Sequence, residues 1–325
     1  MEDADGKGIL YLSEADIAHL APPPAEIVAA LERNLLAARG AAAVPKLSLA
    51  IAPGHFFQAM PAAAPALDLA LVKWVGVVAA SAAQGVPNVQ ALIVLSRVSD
   101  GRPLAVMAGG CVTAWRTAAM TAAVATRLAR ADSRTIGFVG VGLQARSHLE
   151  ALQPFFPRLE RALLLGRSAP SLAAFRTAIA ASGLAPVAAA SADTLLAESD
   201  IVISSVPAQA DLVPFLDGRR LRPGAFAAMV DLGRSWKPET LAALDVVATD
   251  ERVQSRALAA EGKLAHLGPW AADLIELIDK THPGRTSPAQ RTAFVFTGTG
   301  ACDLAVAAEL YRRALAAGAG TRLPA

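Results

Sequence analysis

Lys73 stands inside an apolar run, Leu69-Ala-Leu-Val-Lys-Trp-Val75, and the chain has only six lysines. An ammonium among such neighbours needs a carboxylate, a cofactor or a substrate as partner. Desolvation lowers its pKa and makes it a proton donor or polariser. The alternative is a lysine that lays its stem along a strand edge and keeps its head in water. Arg116, in Thr113-Ala-Trp-Arg-Thr117, falls in the first turn of an alanine-rich helix that Thr113 is placed to cap. Cations are disfavoured there, so a guanidinium beside free N–H groups reads as an anion site for a carboxylate or phosphate. A surface arginine on a stable helix is the alternative. Asp231 ends an apolar strand, where ligands of open α/β sheets bind. It reads either as a base or imine partner or as a turn-forming acid. The five histidines (19, 55, 148, 266, 282) show no metal spacing. Cys111 and Cys302 are too few for a disulfide framework or a metal cage.

One motif points to a cofactor. Gly140-Val-Gly142-Leu143-Gln144-Ala145 follows the strand Thr135-Ile-Gly-Phe-Val139 and opens a helix. This is G-x-G-x-x-A, the dinucleotide fingerprint. The first glycine allows the tight turn, the second lets pyrophosphate approach the backbone, and the small third residue lets helix pack on strand. The helix N-terminus offers free N–H groups and a positive dipole end to the phosphates. The second strand ends Leu165-Gly166-Arg167-Ser168 without the acid that NAD-selective sites use for the ribose 2′-hydroxyl. Arg167 and Ser168 suit a 2′-phosphate, so NADP(H) is preferred, with NAD(H) the alternative.

These residues need elements to hold them. Residues 13–39 read as helical, with prolines 22–24 opening a second helix. Apolar segments follow at 44–52, 56–60, 69–78, 89–98 and 104–108. Asp100-Gly101 between the last two is a hairpin signal, so these are read as antiparallel strands. A helix is expected over 113–130. Strands at 135–141, 162–165, 187–190, 201–206, 226–232 and 246–249 then alternate with helices from Gln144, over 170–181 and over 192–198. That pattern implies a doubly wound parallel sheet. A last helix covers 303–317. The small residues at 62–64 and 79–83 suggest a roomy site.

Composition excludes other classes. The 325 residues carry 30 Lys+Arg against 28 Asp+Glu, a net +2, so no global field favours nucleic acid or an anionic membrane. Hydrophobic residues reach 54%, mostly through alanine. The longest uncharged run, 74–96, is interrupted by Ser, Gln, Gly, Pro and Asn, whereas a spanning helix needs about 20 mainly apolar residues. The start, MEDADGKG, is acidic and lacks an apolar signal core. A cytoplasmic protein is expected.

Read together, Met60-Pro61-Ala62, Lys73, Trp115-Arg116-Thr117-Ala118-Ala119 and Val139-Gly-Val-Gly-Leu-Gln144-Ala145-Arg146 resemble the ornithine cyclodeaminase/mu-crystallin family. Asp200-Ile-Val-Ile-Ser-Ser-Val-Pro207, Pro283-Gly284-Arg285 and Asp303-Leu-Ala-Val-Ala-Ala-Glu-Leu-Tyr311 also fit. The resemblance implies a Rossmann-type doubly wound parallel sheet at 116–302. It also implies an N-terminal α+β substrate and dimerisation domain at 1–115, completed by 303–325, and a homodimer. Members of the family perform hydride chemistry at an amino-acid Cα–N bond.

Carried over by position, Lys73, Arg116 and Lys46 would bind the substrate carboxylate. Lys46 falls where the family usually has arginine, which keeps the charge but loses the bidentate fork. Arg116 and Thr117 would lie near the cofactor, as would Val206 and Pro207. The deaminating members carry Gly-x-Asp before a Lys and a Glu-Leu. Anchored on Lys237 and Glu239, that acid's slot is Gly233, and Asp231 lies two residues early. The resemblance therefore implies an NAD(P)(H)-dependent oxidoreductase acting on a small amino or imino acid, with Lys73 and Asp231 handling protons. Its rivals are ornithine cyclodeaminase proper and a non-catalytic binder of NADP(H) and a small ligand.

Overall fold

Residues 69–75 alternate covered and open positions, with Leu69, Leu71, Lys73 and Val75 buried and Val72 and Trp74 exposed. That period of two is a strand with one face against a core, and it turns Lys73 inward. The computed structural model describes residues 8–39, 42–78, 81, 85–209 and 211–324. Of the small residues at 79–83 only Ser81 is among them, and the acidic start lies outside them save Gly8. The chain divides into two units, Met1–Arg116 with Thr299–Ala325, and Thr117–Gly298.

The first unit is a mixed sheet with helices. Its strands are β1 (Ile9–Leu12), β2 (Ala42–Ala43), β3 (Leu47–Ala52), β4 (His55–Ala64), β5 (Leu69–Val78), β6 (Val89–Arg97), β7 (Pro103–Ala108) and β16 (Thr321–Leu323). They run in the order β16-β1-β7-β6-β5-β4-β2, with β3 also on β4. The expected antiparallel hairpins are present, and Lys73 faces Met60 on one side and Ile93 on the other. β4 runs past the expected 56–60 because Pro61 falls where its outer neighbour changes from β3, paired through Ala59, to β2, paired from Ala62. A missing N–H costs no ladder bond at such a gap.

Helix α1 (Glu14–His19) has a Ser13–Asp16 capping box. Helix α2 (Pro24–Ala37) starts on proline and buries Ile27, Val28, Leu31 and Leu35, an i, i+4 stripe. The last helix, α9 (Gly300–Ala317), packs on α2, β4 and β5. The expected cap at Thr113 is corrected. Helix α3 runs Gly109–Leu128, and the Thr113 hydroxyl donates to the Gly109 carbonyl at 2.7 Å. Arg116 therefore lies two turns inside the helix, away from the free N–H groups of its first turn. The helix takes in Gly109-Gly110, ahead of its expected start at 113.

The second unit is the doubly wound parallel sheet. Its strands β8 (Thr135–Val139), β9 (Arg161–Leu165), β10 (Ala185–Ala188), β11 (Ile201–Ser204), β12 (Phe226–Met229), β13 (Val246–Thr249), β14 (Ala272–Asp273) and β15 (Thr292–Val295) are ordered β10-β9-β8-β11-β12-β15-β13-β14. Every pairing is parallel, and β8, β11, β12, β13 and β15 are buried throughout. Helices α4 (Leu143–Leu152), α5 (Ala169–Ala181) and α6 (Ala192–Glu198) match the expected alternation. Short α7 (Arg252–Ala260), α8 (Leu274–Ile278) and the inserted β15 fall outside the elements expected from sequence. The chain order reverses between β8 and β11, the switch point where such sheets bind ligands. Among the described residues no helix is long and apolar enough to cross a membrane.

Candidate active site

In the second unit the glycine loop joins β8 to α4. Gly140 has φ +87°, and a Cβ there would lie 2.8 Å from the Ser205 carbonyl oxygen, so only glycine fits the turn. Ala145 is fully buried, as the close packing of helix on strand requires. Gly142 is different. It is the N-cap of α4 without a side-chain cap, it has ordinary extended dihedrals, and a Cβ would meet no protein atom within 4 Å. The fold does not need glycine there, but a pyrophosphate lying on the α4 N-terminus does. The Gln144 side-chain oxygen is buried without a hydrogen-bond partner among the described residues, an acceptor that a cofactor donor would satisfy. The loop thus fits a dinucleotide. Gly142→Ala is expected to leave the thermal unfolding midpoint unchanged and to weaken cofactor binding by about tenfold or more. Calorimetric titration alongside thermal melts checks both, and an unweakened affinity sinks the assignment of Gly142.

The other residues expected at the cofactor lie on neighbouring strand ends. Leu143 is exposed in the first turn of α4. Ser168 caps α5, accepting from the Ser171 N–H at 3.4 Å, and Arg167 donates to Gln209 at 3.0 Å. Gly166 ends β9 against Val141, and no acid stands beside it. Val206 and Pro207 follow β11; the Val206 N–H donates to Asp231 at 3.4 Å. Thr117 is buried in α3, and its carbonyl accepts from Thr121.

Asp231 is buried and its carboxylate is already engaged. One oxygen accepts from Ser204 Oγ (3.1 Å) and the Gly233 N–H (3.2 Å), the other from Ser235 Oγ (2.6 Å) and Val206. Trp236 Nε1 donates in turn to Ser204 Oγ at 2.9 Å. Burial pushes the carboxyl pKa up, and the hydroxyl donors pull it back. Four donors, from its own turn and from the end of β11 and the residues after it, occupy the lone pairs that a base would need. Asp231 braces the strand ends.

The first unit holds a charged cluster in its core. Lys73 on β5 is 1% exposed and Asp303 on α9 is fully buried. Lys73 Nζ lies 2.8 Å from Asp303 Oδ1, and Arg116 Nε lies 3.0 Å from the same oxygen. Asp303 Oδ2 is buried with no hydrogen-bond partner among the described residues. Gly300 lets α9 come this close, since a Cβ there would lie 2.8 Å from the Pro61 carbonyl oxygen of β4. Burial lowers the Lys73 pKa to about 8; the Asp303 charge raises it, and the positive charges of Arg116 and Lys46 lower it further. Two cations thus meet at one carboxylate oxygen, and the positive charge of Lys46 is felt at Lys73. The cluster settles the sequence alternatives for Lys73: it is buried and paired, with no path to water along a strand edge.

Asp303 escapes the sequence reading as a functional residue, where it opens the last helix and a segment of the family resemblance. The signal is nevertheless there. Asp303 shares the i, i+3, i+4, i+7 stripe of Val306, Ala307 and Leu310, all buried, so its carboxylate had to enter the core beside a cation.

The model of the ornithine cyclodeaminase/mu-crystallin family matches residues 22–318. A Δ(1)-pyrroline-2-carboxylate reductase from Bacillus cereus is 28% identical over 276 residues, 81% of this chain and 83% of its own. The solved Thermococcus litoralis Δ(1)-pyrroline-2-carboxylate reductase, in complex with NADH and L-proline, superposes with a TM-score of 0.87 at 26% identity, covering 97% of this chain and 100% of that one. An archaeal alanine dehydrogenase dimer with bound NAD gives a TM-score of 0.86 at 25% identity, covering 97% and 98%.

Proposed function

We infer the reaction from one premise: the chain belongs to the ornithine cyclodeaminase/mu-crystallin family. It is an imino acid reductase, an NAD(P)(H)-dependent oxidoreductase acting at the Cα–N bond of a small imino or amino acid. The observation that carries this reading is the buried Lys73–Arg116–Asp303 cluster, in which an ammonium and a guanidinium meet at one carboxylate oxygen. An ammonium and a guanidinium held side by side suit a substrate carboxylate.

Arg116 and Lys46 hold that carboxylate and fix the substrate's orientation, which removes much of the entropic part of the barrier. Lys73, still mostly protonated at neutral pH with its pKa about 8, keeps a proton at Nζ beside Asp303 for the imine nitrogen. Asp303 holds Lys73 and Arg116 in register, and its second oxygen accepts an N–H of the substrate. Gly140, Gly142, Gln144 and Ala145 cradle the dinucleotide, whose reduced nicotinamide supplies the hydride. The preference for NADP(H) is proposed from Gly166-Arg167-Ser168, where Arg167 replaces the usual acid. A homodimer is proposed through the open face of the first sheet, where Leu47, Leu49, Trp74 and Leu92 are exposed. An apolar patch of that kind marks an interface, and the archaeal alanine dehydrogenase is a dimer.

The test is NAD(P)H oxidation at 340 nm with Δ(1)-pyrroline-2-carboxylate, with ornithine plus NAD and ammonia detection in parallel, and light scattering on the same preparation. Imine-dependent oxidation, faster with NADPH than with NADH and without ammonia from ornithine, is expected. Ammonia and proline from ornithine would replace this reading with a cyclodeaminase. Tight cofactor binding without turnover of any imino acid would replace it with a binding protein.

A further inference from the structure

Helices α2 and α9 pack together and leave a cleft of about 500 Å³ on their flank. It lies wholly in the first unit. Glu26 and Arg33 reach it from α2 at i and i+7, and Glu309, Arg312 and Arg313 reach it from α9 at i, i+3 and i+4. Those spacings put each set on one helix face. Leu67 and Leu69, with Ala29 and Ala308, supply apolar wall. A cavity of this size, with apolar walls and a few placed polar groups, is of the kind that holds a small molecule.

Glu309 organises the cleft. Its side chain is 7% exposed, and each of its oxygens accepts from two guanidinium groups. Oε2 accepts from Arg33 Nη2 and Arg312 Nε, both at 3.1 Å, and Oε1 from Arg312 Nη2 at 2.6 Å and Arg313 Nε at 2.9 Å. The hydrogen bonds of Arg312, and then of Arg313, hold the Glu309 carboxyl below the usual carboxylate range against its burial. Arg313 also donates through Nη2 to Glu26. Four bonds fill the lone pairs of Glu309, so this carboxylate fixes three guanidinium groups and has nothing left for a ligand. The donors left over belong to the arginines. Arg33 spends only Nη2, and Nη1 of Arg312 and of Arg313 has no partner among the described residues. Arg33 and Arg312 are 58% exposed, so these donors face water. Three guanidinium charges against the two carboxylates of Glu26 and Glu309 leave one positive charge on the cleft. One arginine would be enough to tie α2 to Glu309. Arginines already held at one end lose less freedom when a ligand arrives.

We propose that this cleft is a second ligand site, for a small oxyanion (a carboxylate or a phosphate monoester) whose apolar body lies on Leu67 and Leu69. The guanidinium fork matches either anion, and Arg33 and Arg312 present it at the open side. The site is separate from the Lys73 cluster. Glu309 follows Asp303 by six residues, about 9 Å along the helix, and lies off the stripe that carries Asp303 into the core. The inference goes beyond imine reduction and does not depend on it.

The experiment is calorimetric titration of the full chain with benzoate, phenyl phosphate and phenol, in excess NADPH so that the glycine loop is filled. At least one of the anions is expected to bind about tenfold or more tighter than phenol, the worth of one charge-assisted hydrogen bond. The tighter of the two tells carboxylate from phosphate. Added salt should weaken the anions and leave phenol unchanged. Arg33→Gln and Arg312→Gln are expected to remove the lead over phenol, Arg33→Lys to keep part of it, and Lys73→Met to keep all of it. Arg33 is exposed and Glu309 retains Arg312 and Arg313, so Arg33→Gln should fold, which thermal melts check; where a glutamine variant does not, Arg33→Lys decides. Anions that bind wild type no tighter than phenol overturn the proposal. So does a lead that survives in the folded Arg33 and Arg312 variants, or one that is lost in Lys73→Met, which would put the anion at the Lys73 cluster.

Discussion

Lys73→Met is expected to lower kcat/KM for imine reduction by about 10²–10⁴-fold, the usual worth of a positioned proton donor, while cofactor affinity stays within about twofold. Methionine keeps the stem and removes the charge. Lys73 is not part of the glycine loop, whose residues are unchanged in the variant. Arg116 still pairs with Asp303 Oδ1 at 3.0 Å, so the variant leaves no orphaned carboxylate and should fold. Wild type carries a further signature. Because protonated Lys73 is the active form, kcat/KM should fall as pH rises through about 8, its lowered pKa. Stability should move the other way. Between about 8 and 10.5, the native and model values, the unfolded chain binds a proton that the native chain lacks, so the unfolding free energy climbs with pH across that window. Below it the native state carries the charged, desolvated lysine and gains nothing from this group. Opposite trends of activity and stability over one window, both absent in Lys73→Met, identify a single titrating group. A variant that reduced the imine as well as wild type would remove Lys73 from the mechanism.

Local signals made the cofactor unit legible. The glycine loop, its strand and its helix are contiguous, so spacing alone carries the chemistry of Gly140, Gly142 and Ala145. Lys73 was legible by contrast, a charge among apolar neighbours. Arg116 was legible as a residue but not in its setting. The helix is expected from 113, yet α3 begins at Gly109, which moves Arg116 out of the first turn. Asp303 was hidden for a different reason. Its partner Lys73 lies 230 positions away, and a single sequence says nothing of which helix covers which strand. Asp231 shows the reverse case. An acid at a strand end has the profile of a base, and only the hydroxyls of Ser204 and Ser235 reveal that its lone pairs are taken.

Asp303→Asn should cost about 3–5 kcal/mol of stability, the range for breaking a buried ion pair from one side. The asparagine fills the same space, so packing is not what is lost. What goes is the one carboxylate shared by Lys73 and Arg116, leaving two buried cations to face each other and Lys46. The charge of Asp303 is also what raises the Lys73 pKa against burial. Without it, the alkaline limb of kcat/KM should move to lower pH, and less of the enzyme is active at neutrality. A merely structural residue would lower the melting point and leave that limb where it was. The double variant Lys73→Met/Asp303→Asn separates the two effects. With the ammonium gone, the carboxylate has one cation fewer to neutralise, so its removal should cost less than in wild type, by a coupling of about 1–3 kcal/mol. Denaturant melts of the four proteins measure that coupling. Strict additivity, or an alkaline limb that stays fixed or rises in Asp303→Asn, would mean that the pair at 2.8 Å does not set the protonation of Lys73.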